Sequence, residues 1–201
     1  MASPKQVFQF RVALHDIEPP IWRRIQVPSE YTFWDLHVAI QDSMGWLDCH
    51  LHSFHIADLR SGKVTEIGIP DDEFLDVEER CLPGWDVPVA EFFSSPGDKA
   101  LYMYDFGDGW EHTVTLEATV DRTPRKRYPA CLAGERACPP EDCGGPLGYQ
   151  DLLQVLRDPS DRRHEEMVEW LGRPIEPERF TARSVKFDDP KKRWRNAFAG
   201  K

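Results

Sequence analysis

The sequence predicts an α+β fold: a mainly antiparallel β-sheet with helices packed on it and a helical C-terminal third. Three observations lead there. The segments "VFQFRVAL" and "IWRRIQVP" alternate apolar and polar residues with period two, the mark of half-buried strands. A second alternating pair, "ALYMYDFG" and "WEHTVTLEATV", is joined by Asp108-Gly109, a strong hairpin signal. Beyond Tyr149 the apolar residues change to helical spacing.

In the first strand Phe8, Phe10, Val12 and Leu14 share one face. The prolines of "HDIEPP" break the ladder, and a second strand resumes with Ile21, Ile25 and Val27 on one face. Thr32 fits a helix N-cap with Asp35 near the positive end, and Phe33, Leu36, His37 and Ile40 follow on one face. Gly45 fits the helix stop. "LHSFHIADL" and "KVTEIGI" read as two more strands around "RSG". "DDEFLDVEER" reads as an acidic connector, and "PVAEFFSS" as a short helix opening on Pro88. "CPPEDCGGPLG" reads as a loop. Tyr149, Leu152, Leu153 and Leu156 form a helical face ending before Pro159. Ser160 would cap a further helix that buries Met167, Val168, Trp170 and Leu171, with Gly172 and Pro174 closing it. "DDPKKRWRNAFA" gives a last short helix with Pro190 at its first position. With no internal repeat or flexible linker, a single domain over residues 1–201 is expected, its core at about 7–198.

A two-residue turn at Asp108-Gly109 fixes a register for the second hairpin. Asp105 then faces His112, Met103 faces Val114 and Leu101 faces Leu116. Two readings of the Asp105–His112 pair stand. It either satisfies two polar groups at the mouth of the core, or orients His112 as a base or metal ligand. The opposite face would present Tyr102, Tyr104 and Phe106, and with the edge of Trp110 these are candidate contact residues for a partner.

Charge narrows the function classes. The net charge of −10 opposes nucleic-acid binding, since phosphate tracking needs clustered cations, and only "KKRWR" is locally basic. No apolar run approaches a membrane span, and "MASPKQVFQF" lacks a signal-peptide core. Five cysteines, an odd number, fit reduced thiols and a cytoplasmic location.

"YDFGDGWEH", with "IEPPIWRRIQVP" and "GWLDCHLHSF" upstream and "YPACLAGERACPPEDCGGPLGY" downstream, resembles the plasmid pRiA-four-b ORF-three-like family. The resemblance covers about Val7 to Phe198, with the motifs in the family's order. It implies a bacterial, mobile-element setting, where members travel as insertion-sequence passengers labelled TnpR, and it carries over no activity. The chain has no resolvase-like serine motif or basic arm, so the label does not make it a recombinase.

Two sets of residues could carry chemistry. Cys131, Cys138 and Cys143 lie at C-x6-C-x4-C, without the close pair usual for zinc, and His50 with His52 could supply further ligands. Glu141 and Asp142 sit between prolines and glycines. If their loop folds over the hairpin tip, they join Asp105 and His112 in a cluster suited to Mg²⁺ or Mn²⁺, whereas Zn²⁺ would suit the thiols; otherwise the loop merely leads into the helix at Tyr149. The expectation is a binding or accessory module that recognises a protein partner. The alternative is a metal-dependent phosphoester hydrolase built on Asp105, His112, Glu141 and Asp142.

Overall fold

The computed structural model describes residues 5–58, 61–70 and 81–198. Eight strands form one sheet: β1 (Gln6–Leu14), β2 (Trp22–Pro28), β3 (His52–Ala57), β4 (Val64–Gly68), β5 (Leu82–Pro83), β6 (Lys99–Tyr104), β7 (Trp110–Asp121) and β8 (Ala130–Glu135). Their spatial order is β5-β4-β3-β6-β7-β1-β2-β8, and only the two-residue β5 runs parallel to its neighbour. Helix α1 (Phe33–Met44) follows β2, whereas α2 (Gly145–Arg157), α3 (His164–Leu171) and α4 (Pro190–Phe198) follow β8. The fold is α+β, and its sheet is mostly antiparallel.

Helix α1 is the main cover of the sheet. Thr32 and Asp35 make a reciprocal capping box and Gly45 ends the helix in the left-handed region, as the sequence predicts. Its Phe33, Leu36, Ala39 and Ile40 sink into a core shared with Phe10, Phe54 and Phe93. An edge-on ring pair, Phe33–Phe54 at 5.0 Å, joins the helix to the sheet, and Phe10–Phe93 at 4.8 Å packs the segment after Pro88 against β1. Strands β1 and β2 pair antiparallel around the long loop, with the expected face buried.

Four expectations are corrected. The hairpin register is the largest. Tyr102 pairs with His112 and Tyr104 with Trp110, so the loop has five residues, Asp105 to Gly109, not two. The shift of three positions turns Tyr102 and Tyr104 inward and Leu101 and Met103 to the other face. The cause is local. Asp105 sits at φ 55, and its Oδ1 accepts from the backbone N–H of Gly107 and Asp108, ending β6 early. The buried tyrosine hydroxyls are satisfied: Tyr102 by His37 and Gln41, Tyr104 by Glu141 and the Cys49 N–H.

Second, α3 starts at His164 without a side-chain cap, and the Ser160 hydroxyl donates to Asp158 instead. Third, Val168 and Trp170 of that helix are about half exposed. Only Met167 and Leu171, one turn apart, reach the core, because four apolar residues in five cannot share one face. Fourth, the segment after Pro88 is a single 3₁₀ turn, Val89–Glu91. Strand β8 has no counterpart among the sequence expectations, and the acidic connector 71–80 lies outside the described residues.

Candidate metal centre

Three loops meet at one end of the sheet. The first joins α1 to β3, the second is the β6–β7 hairpin loop, and the third precedes α2. Each turns on an aspartate in the left-handed region: Asp48 at φ 59, Asp105 at φ 55 and Asp142 at φ 55. Aspartate tolerates that conformation better than most residues, so short acidic loops here are also tight ones.

Hydrogen bonds stitch the loops together. Trp46 Nε1 donates to Pro139 O at 3.0 Å, and Leu47 N donates to Glu141 Oε1 at 2.7 Å. The fully buried Tyr104 lies beneath them, its hydroxyl donating to Glu141 at 3.0 Å and accepting from Cys49 N at 3.1 Å. Asp105 N donates to Leu51 O, and Gly144 N donates to Asp108 Oδ2. The third loop crosses the hairpin tip so closely that a Cβ on Gly145 would stand 2.2 Å from Asp108 O, which requires glycine there.

This closure brings His50, Asp105 and Asp142 together, one from each loop, with their ligand atoms within 4.8 Å of one another. His50 Nε2 lies 3.0 Å from Asp142 Oδ1 and 3.5 Å from Asp105 Oδ2. It is nevertheless a buried atom with no hydrogen-bond partner. Asp105 is the inner wall at 8% exposure, and Asp142 faces solvent at 65%. The donor set of one imidazole and two carboxylates, open on one side, suits a divalent cation with water in its remaining positions. Cys49, His50 and Glu141 form an overlapping group of the same span. Burial, then the nearby Glu141 carboxylate, raises the Cys49 thiol above its ordinary value. A cleft of about 710 Å³ opens beside His50, between the first loop and α4, lined by Trp34, Asp48, Arg193 and Phe198 among others.

The sequence candidates divide accordingly. Asp105 and Asp142 meet at His50 in one group, and Glu141 meets Cys49 and His50 in another. His112 does not join them. It is fully buried, its Nδ1 is 3.4 Å from Tyr102 O, and burial lowers it to about 3. His52 points into the core and stacks on His37, ring centroids 3.4 Å apart, and burial lowers it well below its usual value. Among the described residues no group of three metal-ligating side chains includes Cys131, Cys138 or Cys143. Cys131 bonds toward Ala133 O, Cys138 is pushed far up by burial, and burial pushes Cys143 up to about 12. Tyr102, Tyr104 and Trp110 have no exposed surface, so the contact face expected of them is absent, and Phe106 alone is exposed. Cys49 escaped the sequence reading, although it adjoins His50 in a loop opened by Gly45.

Relatives agree with this architecture. The uncharacterized protein y4hQ of Sinorhizobium fredii is 37% identical over 169 residues, covering 83% of this chain and 81% of its own. The crystal structure of MM3350 from Methanosarcina mazei Go1, a protein of unknown function, matches with a TM-score of 0.81 at 38% identity. That match spans 92% of this chain and 100% of MM3350. Residues 6–184 match the family described as plasmid pRiA4b ORF-3-like protein. With its motifs, its fold and its relatives in accord, the chain belongs to the plasmid pRiA4b ORF-3-like family.

Proposed function

We propose that the chain is a divalent-cation-dependent hydrolase of phosphoesters, with the cation held by His50, Asp105 and Asp142. One observation carries the reading. A buried imidazole nitrogen without a hydrogen bond stands against two carboxylates delivered by two other loops. A cation resolves that arrangement, because it takes the nitrogen lone pair and both negative charges at once. Three protein ligands leave room for water, whose acidity a divalent cation raises, and for a phosphoryl oxygen. The cleft beside His50 gives a substrate a way in. The cation also offsets part of the repulsion that a chain of net charge −10 exerts on a phosphate ester.

The test is a Mn²⁺ titration by calorimetry, followed by assay against generic aryl phosphomono- and diesters. His50→Ala and Asp142→Asn should each lower cation affinity by about tenfold or more and abolish cleavage. A chain that binds no divalent cation overturns the reading. One that binds the cation but cleaves none of the esters removes the hydrolase and keeps the metal centre.

A second reading has its own support. Leu47, Leu51, Phe106 and Leu147 are 80%, 55%, 53% and 79% exposed, and they lie on or beside the three loops of the centre. Such a rim fits an accessory module of mobile-element origin that presses this end of the sheet on a protein partner. Phe106→Ser and Leu47→Ser would then weaken the partner without touching cation affinity. The five free thiols fit a reducing, cytoplasmic compartment for either reading. Among the described residues no helix is long and apolar enough to cross a membrane.

A further inference from the structure

Glu141 divides its carboxylate unequally. Oε1 accepts from Leu47 N at 2.7 Å and from the Tyr104 hydroxyl at 3.0 Å. Oε2 is buried and has no partner. An unpaired carboxylate oxygen shut away from water costs free energy unless something positive meets it. Close by stand His50 and Cys49, their ligand atoms and that of Glu141 within 4.8 Å of one another. Tyr104 backs this group, its hydroxyl bound to Glu141 and to Cys49 N and 4.0 Å from Cys49 Sγ. The donors are therefore mounted on a core tyrosine, which fixes their spacing before any ligand arrives.

We propose that Cys49, His50 and Glu141 form a second cation position, selective for a thiophilic ion of the Zn²⁺ class. The chemistry of the donors decides the class. A sulfur, a nitrogen and an oxygen are the ligands that Zn²⁺ takes in tetrahedral sites, and Mg²⁺ declines the thiolate. Asp105 and Asp142 offer only oxygen to the first position, so His50 stands between a harder and a softer half of one centre. The second position shares His50 with the hydrolase reading, so the two are alternative seats on one imidazole, and the second needs none of the hydrolase chemistry. It survives if no ester is ever cleaved.

Cobalt(II) tests it, since a thiolate on Co²⁺ gives a near-ultraviolet charge-transfer band that oxygen and nitrogen ligands do not. The full chain, reduced and freed of metal, is titrated with Co²⁺ beside Cys49→Ser and Asp142→Asn, with circular dichroism confirming that each variant is folded. The wild type should show the band, and a large excess of Mg²⁺ should leave it. Cys49→Ser should lose the band with a tenfold or greater fall in Co²⁺ affinity at that position. Asp142→Asn should keep it. Co²⁺ bound without the band leaves only the first position and overturns the second. A band that persists in Cys49→Ser assigns the thiolate elsewhere and overturns it as well. Equal loss in Cys49→Ser and Asp142→Asn means one shared ion, and no Co²⁺ binding removes both positions together.

Discussion

Asp105 serves the fold and the centre with different oxygens. Oδ1 closes the hairpin loop on Gly107 and Asp108, and Oδ2 turns toward His50. Asp105→Asn keeps an acceptor for the loop and a residue that tolerates positive φ, but removes the charge. We expect cation affinity to fall about tenfold or more while unfolding free energy changes by less than about 1 kcal/mol. Calorimetric Mn²⁺ titration beside urea denaturation checks both halves. His112 makes the converse case, a polar residue whose consequence is stability. Burial holds it at about 3 against an ordinary 6.5, so between those values the unfolded chain binds more protons than the folded one. Stability present above about pH 6.5 is therefore lost as pH falls toward 3, at about 1.4 kcal/mol for each unit of separation. His112→Leu should flatten the decline in denaturation midpoint between neutral and acid pH. An unchanged slope would show that His112 does not set it.

Helix α4 is held by Arg193 as well as by ring contacts of Trp194 and Phe198 with Trp34 and Trp85. The Arg193 guanidinium bonds Asp42 and Asp188 at 2.6 Å each and reaches Asp48 at 3.5 Å. Asp42 is part-buried with its side chain largely covered, and burial raises its carboxyl above the ordinary range despite the pairing. Arg193→Ala leaves that carboxylate without its cation, and we expect a loss of about 2 kcal/mol, less than for a fully buried pair because Arg193 is part-exposed. The loss should concentrate in α4, read as faster amide exchange over residues 190–198 with the sheet unchanged. The elements legible in the sequence are those whose signals are local. The cap at Thr32, the stop at Gly45 and the alternation of β1 and β2 each depend on neighbours within one turn or one pleat. The hairpin register was not legible, because the hydroxyl partners of Tyr102 lie at His37 and Gln41, far along the chain. From that one error came the choice of His112 over His50 for the centre. Strand β8 carries no alternation to read. It becomes a strand by pairing with β2, where a Cβ on Gly134 would meet Trp22 O at 2.7 Å. The crossing of the hairpin tip was readable only as a condition, which the prolines before and glycines after Glu141-Asp142 permit.

At the scale of the whole molecule, the net charge of −10 governs long-range encounters. Binding to mixed-sequence duplex DNA at physiological salt should be no tighter than about 10⁻⁴ M by fluorescence anisotropy. A nanomolar affinity with a steep salt slope would move function to the basic residues of α4. The sheet has a further consequence, which lies in time. Strand β1 is third from one edge, flanked by β2 and β7. A chain growing on a ribosome can zip β1 to β2 once Pro28 has emerged, but the other edge of β1 has no partner until β7, which ends at Asp121. For that interval Phe8, Phe10 and Val12 sit on an open strand edge, the kind of surface that recruits chaperones or neighbouring nascent chains. The proposed cation centre is later still, because Asp142, the last residue it would need, follows the closing strand. On the proposed reading, metal therefore cannot guide the early zipping of this sheet, and a nascent chain would acquire the ion at the complete centre only after its sheet has the means to close.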